Sequence, residues 1–357
     1  MCAPYQYIKY PYQLQLKKEQ LKEIFLHHLK INLKEIEVKP SPKLWGYRNK
    51  IHLHIIWQNN QAHFAYHQKT KTDNFIKVNK CFLIAPQMNK LLSSLLEIIN
   101  GANLNGIKEV ELKQSISNKE MLLTIYLPGP DGLKNISQKL SSLEKEFPLT
   151  GIVALIKSAK APKEALLRGK NYLEDKIANL RLCFGAQSFF QINVHLVNTL
   201  IKDIAKSLPL DDSQILADLY CGTGTFGLSF AKKVKKVIGV EAAEENIIFL
   251  KKNIEINKIG NFAVYEGRSE NLTDAALSNK PDILIVDPPR KGMGNLVSEK
   301  IIQLPVRTIV YISCNPISFA CDAKILLKKY NLYEVFAYDF FPHTPHIEIC
   351  AILRRGK

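Results

Sequence analysis

Between residues 215 and 312, short apolar segments alternate with helix-length ones, and this rhythm constrains the fold more than any other feature. Ile215–Tyr220, Val237–Val240, Ala263–Tyr265, Ile283–Val286 and Thr308–Ile312 read as strands. Residues 194–207, 226–233 and 244–257 read as helices. Strands and helices in such alternation indicate an α/β fold with a doubly wound, mostly parallel sheet. Sheets of that kind bind ligands beyond the carboxyl ends of their strands.

The first half has another texture. Residues 17–32 have apolar positions at helical spacing. Residues 45–57 read as a strand, with Ile51, Leu53 and Ile55 alternating against His52 and His54. Those histidines have the spacing of metal ligands, but outward polar residues of a half-buried strand are the simpler reading. Strands at 62–67, 109–113, 121–127 and 151–157, with helices at 86–100 and 133–146, complete an α+β pattern. Two domains are expected, 1–180 and 181–357.

Charge separates the halves as well. Residues 1–180 carry 27 Lys and Arg against 15 Asp and Glu, a net +12 of the chain's +16. A field of that sign attracts a polyanion, so nucleic-acid binding is expected of the first half. No apolar run reaches the roughly 18 residues of a membrane span, and no signal peptide is evident. A cytoplasmic monomer that does not engage membranes is expected. The seven cysteines include no C-x-x-C pair, so neither a zinc ribbon nor a thioredoxin motif is indicated, and an odd number spread along the chain argues against a disulfide framework.

The motifs sit at the expected strand ends. Asp218-Leu219-Tyr220-Cys221-Gly222-Thr223-Gly224-Thr225-Phe226-Gly227 is a glycine-rich turn, which alone fits a dinucleotide as well as S-adenosylmethionine. Asp218 is placed to face the positive amino-acid end of that methyl donor, and Glu241 to accept ribose hydroxyls. The string Asp287-Pro288-Pro289-Arg290 tips the balance to the methyl donor. Arg290 stands where an enzyme methylating an amino group usually has an aromatic residue, so a ring carbon is the better target. C5 of uracil is a poor nucleophile until a thiolate adds at C6. Cys314, in Ser313-Cys314-Asn315-Pro316 after an apolar strand, is the candidate nucleophile. Glu348, a carboxylate in an otherwise apolar strand, is the candidate base for the C5 proton. Cys183, Cys221, Cys321 and Cys350 read as buried, Phe189 and Phe190 as core, and His343 and His346 as turn residues.

Taken with Gly46-Tyr47-Arg48-Asn49-Lys50, Gln187-Ser188-Phe189-Phe190-Gln191-Ile192-Asn193 and His346-Ile347-Glu348, these strings resemble the bacterial RNA (uracil-C5)-methyltransferases along nearly the whole chain. The resemblance implies a class I, Rossmann-like methyltransferase sheet with an N-terminal α+β RNA-binding domain. It implies Cys314 as nucleophile and Glu348 as base, with donor contacts from Gln191, Tyr220, Thr225, Glu241, Arg268 and Asp287. The implied substrate is a uridine of 23S rRNA; the alternatives are the same chemistry on a uridine of the tRNA T loop, or a non-catalytic RNA-binding protein that retains the donor pocket. Many relatives hold a four-iron cluster on four cysteines, but only Cys2 and Cys81 fall near such positions, so no iron–sulfur cluster is expected. Many relatives also begin with a small β-barrel, for which there is no room before Tyr5; a gene start further upstream would alter both expectations.

Overall fold

The computed structural model describes residues 3–67, 74–159, 161–271, 278 and 280–356. The chain divides into two compact units. The first comprises Met1–Leu44, Ile177–Leu182 and Ser188–Lys357, and the second Trp45–Lys176 and Cys183–Gln187. No helix among the described residues is long and apolar enough to cross a membrane.

Helix α1 (Tyr10–Leu29) and strand β1 (Val38–Lys39) open the chain. Pro11 sits in the first turn of α1, where its missing N–H leaves no hydrogen bond unmade. Lys30 ends the helix in the left-handed conformation. The helix therefore begins seven residues before the expected 17–32. Its buried stripe is Gln13, Lys17, Leu21 and Phe25, at steps of four residues. Burying Leu21 and Phe25 contributes about 1.5–3 kcal/mol each, and the Phe25 ring stacks on Phe319 at 5.6 Å.

The second unit follows with β2 (Lys50–Gln58), β3 (Gln61–His67), β4 (Phe75–Lys77), α2 (Pro86–Gly101), β5 (Glu109–Gln114) and β6 (Met121–Leu127). Then come α3 (Leu133–Leu140), α4 (Leu143–Glu146), β7 (Leu149–Ile156), β8 (Lys163–Gly169) and β9 (Tyr172–Ile177). Its sheet runs β4-β3-β2-β5-β6-β7-β8. In β2, Ile51, Leu53 and Ile55 are buried while His52 and His54 lie half-buried on the other face. The register sets His52 opposite Glu111 and His54 opposite Glu109, so each histidine answers to a carboxylate. Among the described residues no cluster of His, Cys, Asp or Glu could hold a metal ion. Cys81 is buried, with its backbone N–H donating to Asn89 at 2.9 Å; Cys2 lies outside the described residues.

The first unit resumes after β10 (Leu180–Gly185), which the division crosses. Its elements are α5 (Val194–Ser207), β11 (Ile215–Leu219), α6 (Thr225–Ala231), β12 (Lys236–Glu241), α7 (Glu244–Ile256) and β13 (Phe262–Glu266). After these come β14 (Ile283–Val286), α8 (Asn295–Gln303), β15 (Thr308–Ser313), α9 (Pro316–Leu326), β16 (Tyr330–Tyr338) and β17 (Glu348–Arg355). The sheet order is β1-β16-β17-β15-β14-β11-β12-β13. Strands β11 to β15 are mutually parallel, and β17 runs antiparallel between β15 and β16. The chain winds outward from β11 to β13 and then returns to β14 on the other side of β11, which creates a switch point there.

A boundary at 180/181 needs correcting at the front of the chain. Residues 1–44 belong with the methyltransferase-like sheet. Strand β1 extends its edge by pairing in parallel with β16, and α1 covers α9.

Candidate active site

Strand β11 delivers Asp218 and Leu219 to the switch point, and the chain then turns sharply. Tyr220 adopts a left-handed φ of 61°, which costs a non-glycine residue energy and is retained mainly at functional sites. Gly224 follows at φ 96°, where an added Cβ would come within 2.6 Å of Leu250 and 2.7 Å of Leu228. Asp218 is fully buried. One carboxylate oxygen accepts from Gly227 N at 2.8 Å; the other has no hydrogen-bond partner among the described residues. Burial, reinforced by the Asp287 and Glu241 charges, pushes its pKa up to about 8 despite the Gly227 bond.

Glu241 ends β12 and accepts from the backbone N–H groups of Gly222, Ala242 and Ala243 at 2.8, 2.9 and 2.7 Å. These bonds fix the carboxylate at the rim of the turn. Gln191 donates to Asp287 at 3.1 Å, so two residues 96 positions apart meet at the end of β14. Burial raises the Asp287 pKa to about 7, and the Gln191 bond opposes it. Thr225 is the first residue of α6 and is buried. Tyr220 is half-buried, its phenol pushed up to about 12 chiefly by burial. Arg268 lies two residues beyond β13 and is exposed. Phe190 is buried as core, but Phe189 is 58% exposed, contrary to its expected packing. Its backbone N–H is tied to Asn246 at 3.2 Å, which leaves the ring outside.

The second half of the site stands on β15 and β17. Their antiparallel register pairs Ser313 with Ile349, so the next step sets Cys314 opposite Glu348. Opposite residues of neighbouring strands share a face, with Cβ atoms about 5 Å apart. Cys314 is half-buried. Burial, then the Glu348 charge, pushes its thiol up to about 11, while Arg290 pulls it down by charge and hydrogen bond. Glu348 is 6% exposed. Burial first, then Asp287, drives its pKa well above the carboxylate range, and Arg290 opposes them. One guanidinium thus favours the charged forms of both groups.

Arg290 is itself held in place. Its carbonyl accepts from Asn315 Nδ2 at 3.0 Å and Ser318 Oγ at 2.6 Å. Asn315 also caps α9 through Ile317 N. A cavity of about 180 Å³ opens beside Cys314, lined among others by Arg290, Asn315, His346, Gln20 and Ile24.

Cys183, Cys221 and Cys350 are buried as expected, but Cys321 is exposed. Around α9 the inner face holds Phe319, Ala320 and Ala323, and Cys321 points outward. The sequence reading missed Gln13, Lys17, Gln20 and Asp339. Gln13 and Lys17 carried a signal: they continue, in phase, the apolar stripe of Leu21 and Phe25.

The open oxygen and high pKa of Asp218 are an uncompensated negative position, which suits a ligand with a positive group. Glu241 on the rim suits a ribose. A doubly wound sheet with this turn, these acids and Asp-Pro-Pro at the end of β14 defines an S-adenosylmethionine-dependent methyltransferase. The model of the tRNA (uracil-5-)-methyltransferase family matches residues 9–356, and the chain belongs to that family. An uncharacterized RNA methyltransferase of Listeria innocua is 28% identical, over 98% of this chain and 81% of its own length. Another from Caldanaerobacter subterraneus is 29% identical, over 99% and 82%. The crystal structure of Pyrococcus abyssi tRNA (uracil-54, C5)-methyltransferase in complex with S-adenosyl-L-homocysteine superposes with a TM-score of 0.77. That match has 26% identity over 98% of this chain and 84% of the other.

Proposed function

We propose that this RNA methyltransferase methylates C5 of a uridine through a covalent bond between Cys314 and C6, with Glu348 taking the C5 proton. The observation that carries this reading is the juxtaposition of Cys314 and Glu348 at the ends of β15 and β17, next to Asp287 and Arg290.

Cys314 gives its proton to solvent water with help from the Arg290 charge, and its thiolate attacks C6. The C5=C6 electron pair moves toward O4 and makes C5 nucleophilic. S-adenosylmethionine, when bound, supplies the electrophilic methyl carbon for C5. Asp218, Glu241, Gln191 and Asp287 would hold that donor, with Tyr220 and Thr225 lining its turn; a contact from Arg268 is also proposed. Glu348 then accepts the C5 proton, the double bond re-forms, and the Cys314 thiolate leaves. A raised carboxylate pKa makes Glu348 a stronger proton acceptor for that step.

The second unit carries 19 Lys and Arg against 11 Asp and Glu. We assign it to holding RNA phosphates, with the steep salt dependence that follows. The target uridine leaves its stack to reach Cys314. Our first assignment for the RNA is 23S rRNA, from the family resemblance of the sequence. The likeness to the Pyrococcus tRNA enzyme specifically favours tRNA as a second reading. Mapping 5-methyluridine in both RNAs of a deletion strain separates them. For the chemistry, RNA carrying 5-fluorouridine should trap a gel-stable protein–RNA adduct that Cys314→Ala abolishes. An alanine variant that makes 5-methyluridine at the normal rate defeats the covalent reading.

A further inference from the structure

Helix α1 has a stripe that changes character halfway. Leu21 and Phe25 bury apolar surface, but Gln13 and Lys17, equally inaccessible, bury an amide and an ammonium. Polar groups are buried at such cost only where they find partners. Gln13 Nε2 donates to Ile8 O at 2.8 Å and Tyr5 O at 3.1 Å, just ahead of the helix, and both side chains also reach the segment between β16 and β17 that leads directly into Glu348. Lys17 Nζ donates to Asp339 Oδ1 at 2.5 Å and to Phe341 O at 3.1 Å. Gln13 Oε1 accepts from His343 N at 2.8 Å, and Gln13 Nε2 lies 3.0 Å from His343 Nδ1. Tyr5 N adds a bond to His343 O at 2.9 Å.

The gripped segment is not a relaxed turn. His343 holds a left-handed φ of 65°. Phe341 O accepts from Thr344 N and Oγ1 as well as from Lys17. Five residues past His343 the chain enters β17 at Glu348. The same helix lines the cavity beside Cys314 through Gln20 and Ile24. A simple anchor for α1 would need only the apolar half of its stripe, which already packs on α9 through Phe25 and Phe319.

We propose that Gln13 and Lys17 are positioning residues for proton removal: with Asp339 and His343 they lock the 339–347 segment and so set the Glu348 carboxylate over C5. This rests on the reading of Cys314 and Glu348 given above, and it makes the first helix of the chain part of the catalytic apparatus. The lock bears on one step of the reaction. Thiolate addition and methyl transfer depend on Cys314 and the donor site. Where Glu348 points touches addition only through its charge beside the Cys314 thiol, but it decides the last step directly.

5-Fluorouridine isolates that step, because fluorine at C5 cannot leave as a cation and the methylated adduct stays bonded to Cys314. Two variants are measured beside the wild type: Gln13→Leu, and the double variant Lys17→Met with Asp339→Leu, which removes both charges so that neither is left buried alone. Each is assayed for turnover on uridine RNA, for adduct on that RNA, and for adduct formation on 5-fluorouridine RNA. The expected result is a 10- to 100-fold loss of turnover, on the order of the cost of a 1 Å misplacement. A gel-stable adduct on ordinary RNA should accumulate, while the rate of fluorouridine adduct formation stays within about threefold of wild type. Glu348→Gln should give the same signature more strongly.

Turnover and fluorouridine adduct falling in equal proportion, or neither falling, overturns the proposal. Loss of the fold in both variants also overturns it, because the contacts would then serve folding alone. If the wild type traps no fluorouridine adduct, or Glu348→Gln turns over normally, the underlying reading fails and takes the lock with it. That outcome is told from the others by the wild-type and Glu348 lanes.

Discussion

Glu111 in the second unit and Glu348 in the first are both strand glutamates, 2% and 6% exposed, and their surroundings are opposite. Around Glu111, Lys50 Nζ lies at 2.7 Å, His52 Nδ1 at 3.3 Å and Lys113 Nζ at 3.4 Å. Burial pushes its pKa up, but the His52 hydrogen bond and the two lysines reverse this and hold it at about 2. Glu348 makes no hydrogen bond or ion pair among the described residues, and burial leaves its pKa far above the usual range. Asp218, raised to about 8, belongs with Glu348. A buried charge that the fold itself neutralises serves the fold. One that the fold leaves uncompensated calls for a ligand or a reaction.

The largest test of that contrast is Cys314→Ala, which should lower methyl transfer to RNA by at least about 10⁴-fold, as loss of a covalent nucleophile does. Glu348→Gln comes next, at roughly 10²–10⁴-fold in turnover, read with radiolabelled donor. Glu111→Gln should cost the protein stability and leave bound-RNA chemistry in the folded fraction intact. A further measurement concerns the thiol. With a pKa near 11, Cys314 in RNA-free enzyme should react with iodoacetamide slowly, and about tenfold faster per pH unit up to that value. Site-resolved mass spectrometry separates it from exposed Cys321.

Stability should respond to pH in opposite senses in the two regions. The folded pKa of Glu111, about 2 against an ordinary 4.5, means its contribution is present above 4.5 and is lost as pH falls toward 2. The span corresponds to about 3 kcal/mol. Asp218, about 8 against an ordinary 3.8, costs nothing below 3.8, and its cost grows as pH rises to 8. Denaturant titrations across pH should therefore lose the fall below pH 4.5 in Glu111→Gln and the decline between pH 3.8 and about 8 in Asp218→Asn; unchanged limbs would remove the contrast. The smallest effect belongs to the exposed Lys251–Glu266 pair, whose removal should shift stability by less than about 1 kcal/mol.

What was legible in the sequence was local. The strands from Ile215 to Ser313 announce themselves because a sheet covered on both faces needs nearly continuous apolar runs. The glycine turn and Glu241 declare their purpose because their geometry is built from neighbouring residues. The front of α1 was hidden because Tyr10–Leu16 shows none of the charge patterning that marks residues 17–23. The expected helix 133–146 is two helices, interrupted at Ser141 and Ser142, where the Ser141 hydroxyl donates to Gln138 O at 2.7 Å. Cys321 was expected to be buried because it lies in a helical stretch, but the phase of that helix turns it outward. Gln13 and Lys17 could be suspected from their phase, but no single sequence names Asp339 and His343 as their partners.

The Lys17–Asp339 pair joins residues 322 positions apart. At a synthesis rate of about 5–20 residues per second, the ammonium waits roughly 15–65 s on the ribosome before its carboxylate exists. The second unit, Trp45 to Gln187, has by then emerged with its sheet complete. A nascent chain can therefore acquire its basic unit early and the strand that carries Glu348 last. A product truncated before Asp339 has neither the closing strand nor these partners of Gln13 and Lys17.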